Sequence, residues 1–192
     1  MGRFLALLVG ASFLRWNNHR GAFEYVLECA RKGELLSISL ANEIHRLLMD
    51  RLTYDAGAFK KHENAILGSD LVTAPVSQVP MLMQQWIDNV EYQLEQAGSD
   101  DEGIEVIVKS HMEFEKIHPY SDGNGRTGRM LMNFLLLRTS NWPLIIKGQD
   151  RTTYINFLAS DDLVGFVRCA KALLIAEKDR GERFLNKEKY QV

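Results

Sequence analysis

Apolar residues recur along this chain every three or four positions, the period of an α-helix with one buried face. Ala22, Phe23, Val26, Leu27 and Ala30 form one such stripe, ended by Gly33, and Leu40, Ile44, Leu47, Leu48 and Leu52 form a second. The pattern therefore predicts two helices before residue 55. From Gly57 to Pro75 the helical period disappears, and Gly57 and Gly68 punctuate a short mixed run that predicts an edge hairpin. Pro80 suits the first turn of a third helix, which carries Leu82, Met83, Trp86, Val90 and Leu94 as far as Gly98. The polar stretch 98–103 reads as the loop that closes it.

Ile104, Ile107, Val108, His111, Phe114 and His118 then share one face of a further helix, with His118 at its last inward turn. The segment from Met130 to Leu137 is apolar on nearly every side, which predicts a helix in the middle of the domain, ended by Asn141 and Pro143. Two more helical patterns lie around Tyr154 to Leu158 and from Leu163 to Ala176, before a charged tail, 177–192, expected to be solvated. The expectation is one all-α domain over 1–192 with its core at about 20–175. The only β element expected is the hairpin flap at 57–75.

Composition narrows the function. A chain of 192 residues, 46% apolar and 25% charged, suits one globular domain. A formal net charge of −2 provides no general basic field, which disfavours nucleic acid as the partner. Cys29 and Cys169 are far apart and form no CxxC, a usage that fits a reducing compartment rather than a disulfide scaffold or zinc site, and both are expected to be buried thiols. The apolar run from Phe4 to Leu14 is too short to cross roughly 30 Å of hydrocarbon and no A-x-A site follows it. Gly2 also lacks the Ser or Thr at position 6 of a myristoylation signal. A cytoplasmic protein without a membrane partner is expected. Among the other histidines, the periodic pattern places His111 in the core and leaves His45 and His62 exposed or locally bonded. Lys60 and Lys61 read as a solvated base of the flap or as two cations that assist the approach of an anionic substrate.

The chemistry is concentrated in HPYSDGNGRTGR, residues 118–129. Gly123 and Gly125 let the backbone turn and bring N–H groups close to a ligand at the start of the buried helix, which makes an anion site. Arg126 and Arg129, three residues apart, can direct both guanidinium groups to phosphate oxygens held there. Asp122 supplies a hard oxygen ligand suited to Mg²⁺ bridging phosphates, and His118 titrates in the range a general base needs. Together these parts describe phosphoryl or nucleotidyl transfer. No GKS or GKT occurs and no strand precedes the loop, so it is neither a Walker A nor a Rossmann turn.

The same stretch resembles the Fic family signature HPFx[D/E]GNGRxxR at His118, Pro119, Asp122, Gly123, Asn124, Gly125, Arg126 and Arg129, with Tyr120 where phenylalanine is usual. The resemblance extends over roughly residues 20–175. GAFKKHENAILGSD followed by VPMLMQQW is similar to the family's substrate flap, and RTTYINFLASDD to the segment that closes its nucleotide pocket. It implies a Fic fold, a helical bundle around a buried central helix with a small β-hairpin flap. It implies a protein adenylyltransferase that moves AMP from ATP to a Ser, Thr or Tyr hydroxyl of a target protein. His118 would then be the base and Asp122 the Mg²⁺ ligand. Gly123, Asn124 and Gly125 would form the anion hole, Arg126 would neutralise the leaving pyrophosphate, and Arg129 would grip the γ-phosphate. Ala65, Ile66, Leu67 and Gly68 would pair with the target backbone by strand addition, and Tyr154 would lie near the adenine.

Two departures qualify this. Relatives often carry an inhibitory glutamate in the pattern [S/T]xxxE[G/N], and the nearest spelling here, Ser12 to Asn17, has Trp16 at the glutamate position. Arg129 is thus expected to lack an internal partner. A separate antitoxin-like protein would supply the glutamate, or the chain is a shortened member, or inhibition is absent. The run ASDD at 159–162 is also shorter than the matching segment of relatives. The rival readings are removal of AMP or transfer of another phosphate group at the same site, and a non-catalytic module that holds nucleotide or a partner.

Overall fold

The computed structural model describes residues 2–64, 73–139 and 142–189, with side chains over 12–64, 73–139 and 142–184. Among these residues the chain forms seven α-helices and no strand: α1 (Gly2–Arg31), α2 (Ile38–Met49), α3 (Val79–Gln96), α4 (Asp100–Ile117), α5 (Asn124–Thr139), α6 (Arg151–Ala159) and α7 (Leu163–Lys189). The segment apolar on every side becomes α5, which packs against α1, α2 and α4, while α3 and α7 pack on α4. Met130, Leu131, Met132, Phe134, Leu135 and Leu136 of α5 are all buried, so the start of this helix is fixed by the core itself. Among the described residues no helix is long and apolar enough to cross a membrane.

The helix ends are set by local chemistry. Ser37 caps α2, its side chain accepting from the Leu40 N–H at 3.1 Å. Ser99 caps α4 by accepting from the Glu102 N–H at 3.2 Å, and Glu102 reaches back to the Gly98 N–H at 2.7 Å. Residues 100–103, expected as part of a loop, are therefore the first turn of α4, where Asp100, Asp101 and Glu102 also suit the positive end of the helix. Buried Asn18 of α1 donates to the carbonyls of Leu48 and Asp50 at 3.3 and 2.8 Å and so closes the end of α2.

Four further expectations need amendment. The first helix begins at Gly2 instead of near Ala22, taking in the apolar run 4–14. The charged tail continues α7 through Lys189, and Glu177 at its start is buried with Arg180 beside it at 2.5 Å. Of the hairpin expected over 57–75, the described residues 57–64 and 73–75 are turns and irregular chain, and Ala65, Ile66, Leu67 and Gly68 lie outside the described residues. Cys29 is buried as expected, whereas Cys169 is only partly covered.

Candidate active site

The turn between α4 and α5 carries the site. His118 succeeds the last residue of α4 as its cap, in the left-handed region at φ 51°, ψ 60°, with its N–H donating to the Phe114 carbonyl at 3.0 Å. It stands one residue past the helix rather than in its last inward turn. Its Nδ1 lies 3.3 Å from the Glu115 carbonyl oxygen. A carbonyl only accepts, so Nδ1 carries the proton and Nε2 keeps a lone pair. Burial lowers the His118 pKa, the Glu115 carbonyl opposes that shift, and the nearby Lys60 charge adds to it. The ring is neutral near pH 7, the form a general base needs.

The loop after His118 is clamped by buried side chains. Tyr120 is fully buried; its hydroxyl donates to Asn42 Oδ1 at 3.0 Å and its ring stacks on His45 with centroids 3.8 Å apart. The hydroxyl that departs from the usual phenylalanine is thus satisfied. His45, expected to be exposed or locally bonded, is instead buried and spans distant segments. The Gly57 N–H donates to its Nδ1 at 2.8 Å, which leaves Nε2 to donate to the Asp122 carbonyl at 3.0 Å. Asn124 Oδ1 accepts from the Tyr120 N–H at 2.8 Å, and Asn124 Nδ2 donates to the Tyr120 carbonyl at 2.7 Å. This side chain closes the loop on itself, so Asn124 offers a ligand its backbone N–H. Gly123 has φ 81°, and a Cβ there would stand 2.7 Å from Met49 Sδ, so the turn has room for glycine alone. Lys60 is also no solvated base: it is buried, with Nζ on Asn64 Oδ1 at 2.7 Å and Thr73 Oγ1 at 3.1 Å.

A cavity of about 490 Å³ opens where α5 begins. Asp122, Arg126 and Arg129 line it, as do Lys147 from the segment leading into α6 and Arg151 and Tyr154 from α6 itself, and Arg15 reaches it from α1. The Arg126 and Thr127 N–H groups donate to the Gly123 carbonyl at 3.1 and 2.9 Å, so those of Asn124 and Gly125 are left to face a ligand, and the helix dipole adds positive potential at the same place. The Asp122 side chain is 73% exposed; its Oδ1 accepts from the Gly123 N–H at 2.6 Å and its Oδ2 stands 3.5 Å from Arg126 Nη2. Among the described residues no three His, Cys, Asp or Glu side chains gather to hold a metal by themselves. One exposed carboxylate beside guanidinium groups fits Mg²⁺ only where other oxygen ligands, such as those of a phosphate or water, complete its shell.

Behind the cavity, Arg129 Nη1 lies 3.4 Å from the Tyr154 hydroxyl and its guanidinium sits over that ring, 5.5 Å from the centroid. The expectation that Arg129 lacks an internal partner is thereby corrected, although the partner is a phenol rather than a carboxylate. Tyr154 is buried, and its hydroxyl meets His111 Nε2 at 2.9 Å. His111 is a core residue as expected, and burial, with the Arg129 charge, lowers its pKa to about 3. Burial pushes the Glu115 carboxyl up to about 7 against the pull of Arg129. Among the described residues, His111 Nδ1 and Glu115 Oε1 have no hydrogen-bond partner. Gly128 lets α5 approach this pair, since a Cβ there would come within 2.7 Å of Glu115 Oε1.

The structure thus brings Asp122, Arg126, Arg129 and Tyr154 around one cavity, with Gly123, Asn124 and Gly125 at the helix start beside it. His118 belongs to the same turn but does not line the cavity, and the flap residues 65–68 lie outside the described residues. Neither spacing nor motif singles out Arg15 or Lys147, and Arg151 is marked only as the first residue of RTTYINFLASDD, the stretch similar to a pocket-closing segment.

Residues 35–136 match the model of the Fic/DOC family. A curated relative, the protein adenylyltransferase Fic of Nematostella vectensis, is 32% identical over 154 residues, covering 78% of this chain and 35% of its own. The chain spans only about a quarter to a third of the curated relatives it matches. Among solved structures, a Fic domain containing signaling protein from Bacteroides thetaiotaomicron superposes with a TM-score of 0.77 at 23% identity, covering 86% of this chain and 69% of that one. BepC of Bartonella tribocorum, solved with bound AMPPNP, gives 0.59 at 18% identity over 80% of this chain and 86% of its own. The all-helical architecture with its buried α5 agrees with these folds, and the family match covers both the motif and the helices that hold it. This chain belongs to the Fic/DOC family.

Proposed function

We propose that the chain is a protein adenylyltransferase that uses ATP to modify a hydroxyl group on a target protein. The observation that carries this reading is His118: its Nδ1 proton is committed to the Glu115 carbonyl, so an unprotonated Nε2 stands in the turn that feeds a cation-lined cavity. The target oxygen attacks the α-phosphorus while its proton passes to Nε2; the α–β phosphoanhydride bond breaks and pyrophosphate leaves. The first N–H groups of α5 hold phosphate oxygens, with Arg126 and Arg129 neutralising the leaving end. Asp122 would hold Mg²⁺, which when bound would supply charge neutralisation beside the phosphates.

The naming of the curated relatives and the AMPPNP bound in BepC support a nucleotide in the cavity. A module that only binds nucleotide has no use for a neutral histidine poised in this way. Ala65 to Gly68 as a docking edge for the target, Tyr154 beside the adenine and an antitoxin-like inhibitor complete the proposal. The test is intact mass spectrometry of the purified protein after incubation with Mg²⁺ and ATP. A gain of one adenylyl group is expected; a gain of one phosphate instead overturns the reading.

A further inference from the structure

Most of the cations lining the cavity have no acidic partner among the described residues. Five cations line it, Arg15, Arg126, Arg129, Lys147 and Arg151, against the single carboxylate of Asp122, although the chain as a whole is net negative. Among the described residues only Arg126 has a carboxylate within ion-pair distance there, and that contact is 3.5 Å. Gathering like charges costs free energy unless an anion joins them. Arg126 feels this: its pKa is lowered, first by burial, with Arg15 and Arg129 adding to the shift against Asp122.

Arg15 is the member that no motif supplies. It comes from α1, more than a hundred residues from the loop in sequence, and the next turn of that helix fixes its place. Asn18, in that turn, is buried and bonded to the carbonyls of Leu48 and Asp50, and α1 packs along both α2 and α5. The backbone under Arg15 is therefore rigid, while its exposed side chain has no acidic partner among the described residues.

We propose that Arg15 is a phosphate-binding residue that reaches from α1 across the start of α5 and selects a nucleotide carrying terminal phosphates over a monophosphate. The inference rests on reading the cavity as the nucleotide site. Arg126 and Arg129 bind from α5, and Arg15 binds from a separate element, so a polyphosphate is gripped from two directions. A monophosphate leaves part of that charge unopposed.

The experiment is calorimetric titration with ATP, AMP and inorganic tripolyphosphate at fixed salt, for the wild type, Arg15→Ala, Arg15→Lys and Arg31→Ala. Arg31 lies at the other end of the same helix, sixteen residues and about 24 Å away. Its removal changes net charge equally but acts from beyond the Debye length of about 8 Å. Arg15→Ala is expected to weaken ATP and tripolyphosphate about threefold to tenfold, and AMP by less than about twofold. Arg15→Lys is expected to retain most of the affinity, and Arg31→Ala all of it. Equal losses from Arg15→Ala and Arg31→Ala, or equal losses for ATP and AMP, overturn the proposal. If tripolyphosphate binds in an Arg15-dependent way but ATP does not bind, Arg15 keeps its role and the adenylyltransferase reading falls. If the wild type binds none of the three, both fall.

Discussion

Glu115 of α4 sits against Gly128 of α5, buried, with one carboxylate oxygen lacking a hydrogen-bond partner among the described residues. Burial raises its pKa from 4.5 to about 7, so folding favours the protonated form. This contribution is fully present below about pH 4.5, where the unfolded chain is protonated too, and is lost as pH rises through about 7. Above that the buried carboxylate costs on the order of 3 kcal/mol. Glu115→Gln removes the charge and keeps the shape. It is expected to melt well above the wild type at pH 8 and close to it at pH 5. An equal difference at both pH values in thermal melts contradicts the assignment. At this scale the contiguous motif was legible, because histidine, aspartate, glycines and arginines at set spacing name their chemistry. His45 and Lys60 were not, because their partners lie at Gly57, Asp122, Asn64 and Thr73, and neither burial nor partner is encoded in the residue type.

At the scale of elements, the end of α5 is tied to α3 by Arg138, whose two Nη atoms each donate to Glu91 at 2.9 Å, with the side chains only 13% and 17% exposed. Arg138 also reaches the Glu34 carbonyl at 3.2 Å, and Glu91 Oε1 accepts from the Leu36 N–H at 2.7 Å. The pair thus anchors the connection between α1 and α2 as well as two helices. Glu91→Ala leaves a part-buried guanidinium without its carboxylate and is expected to cost about 3 kcal/mol. A chemical-denaturation midpoint unchanged from the wild type contradicts that. Periodicity located the interior of each helix because burial on one face imposes it. The boundaries were harder: residues 98–103 look like a polar loop, yet Ser99 and Glu102 make them a capped helix start. The beginning of α1 was missed because the run 4–14 is apolar without a single-face period.

At the scale of the molecule, a chain with a net charge of −2 concentrates five cations on one cavity. Total charge disfavours a general basic surface but does not reveal this local field, which forms only when α1, the start of α5, the segment before α6 and the start of α6 meet. The start of α5 borders the cavity, and the α4–α5 turn also carries His118, whose burial lowers its pKa. The measurement that tests this account most directly is label transfer to protein in a lysate from ATP labelled at the α- or the γ-phosphate, with wild-type chain and His118→Ala. The account predicts α-label on protein with the wild type alone, and no γ-label attributable to the added chain. Added-chain γ-label, or equal α-label with His118→Ala, contradicts it.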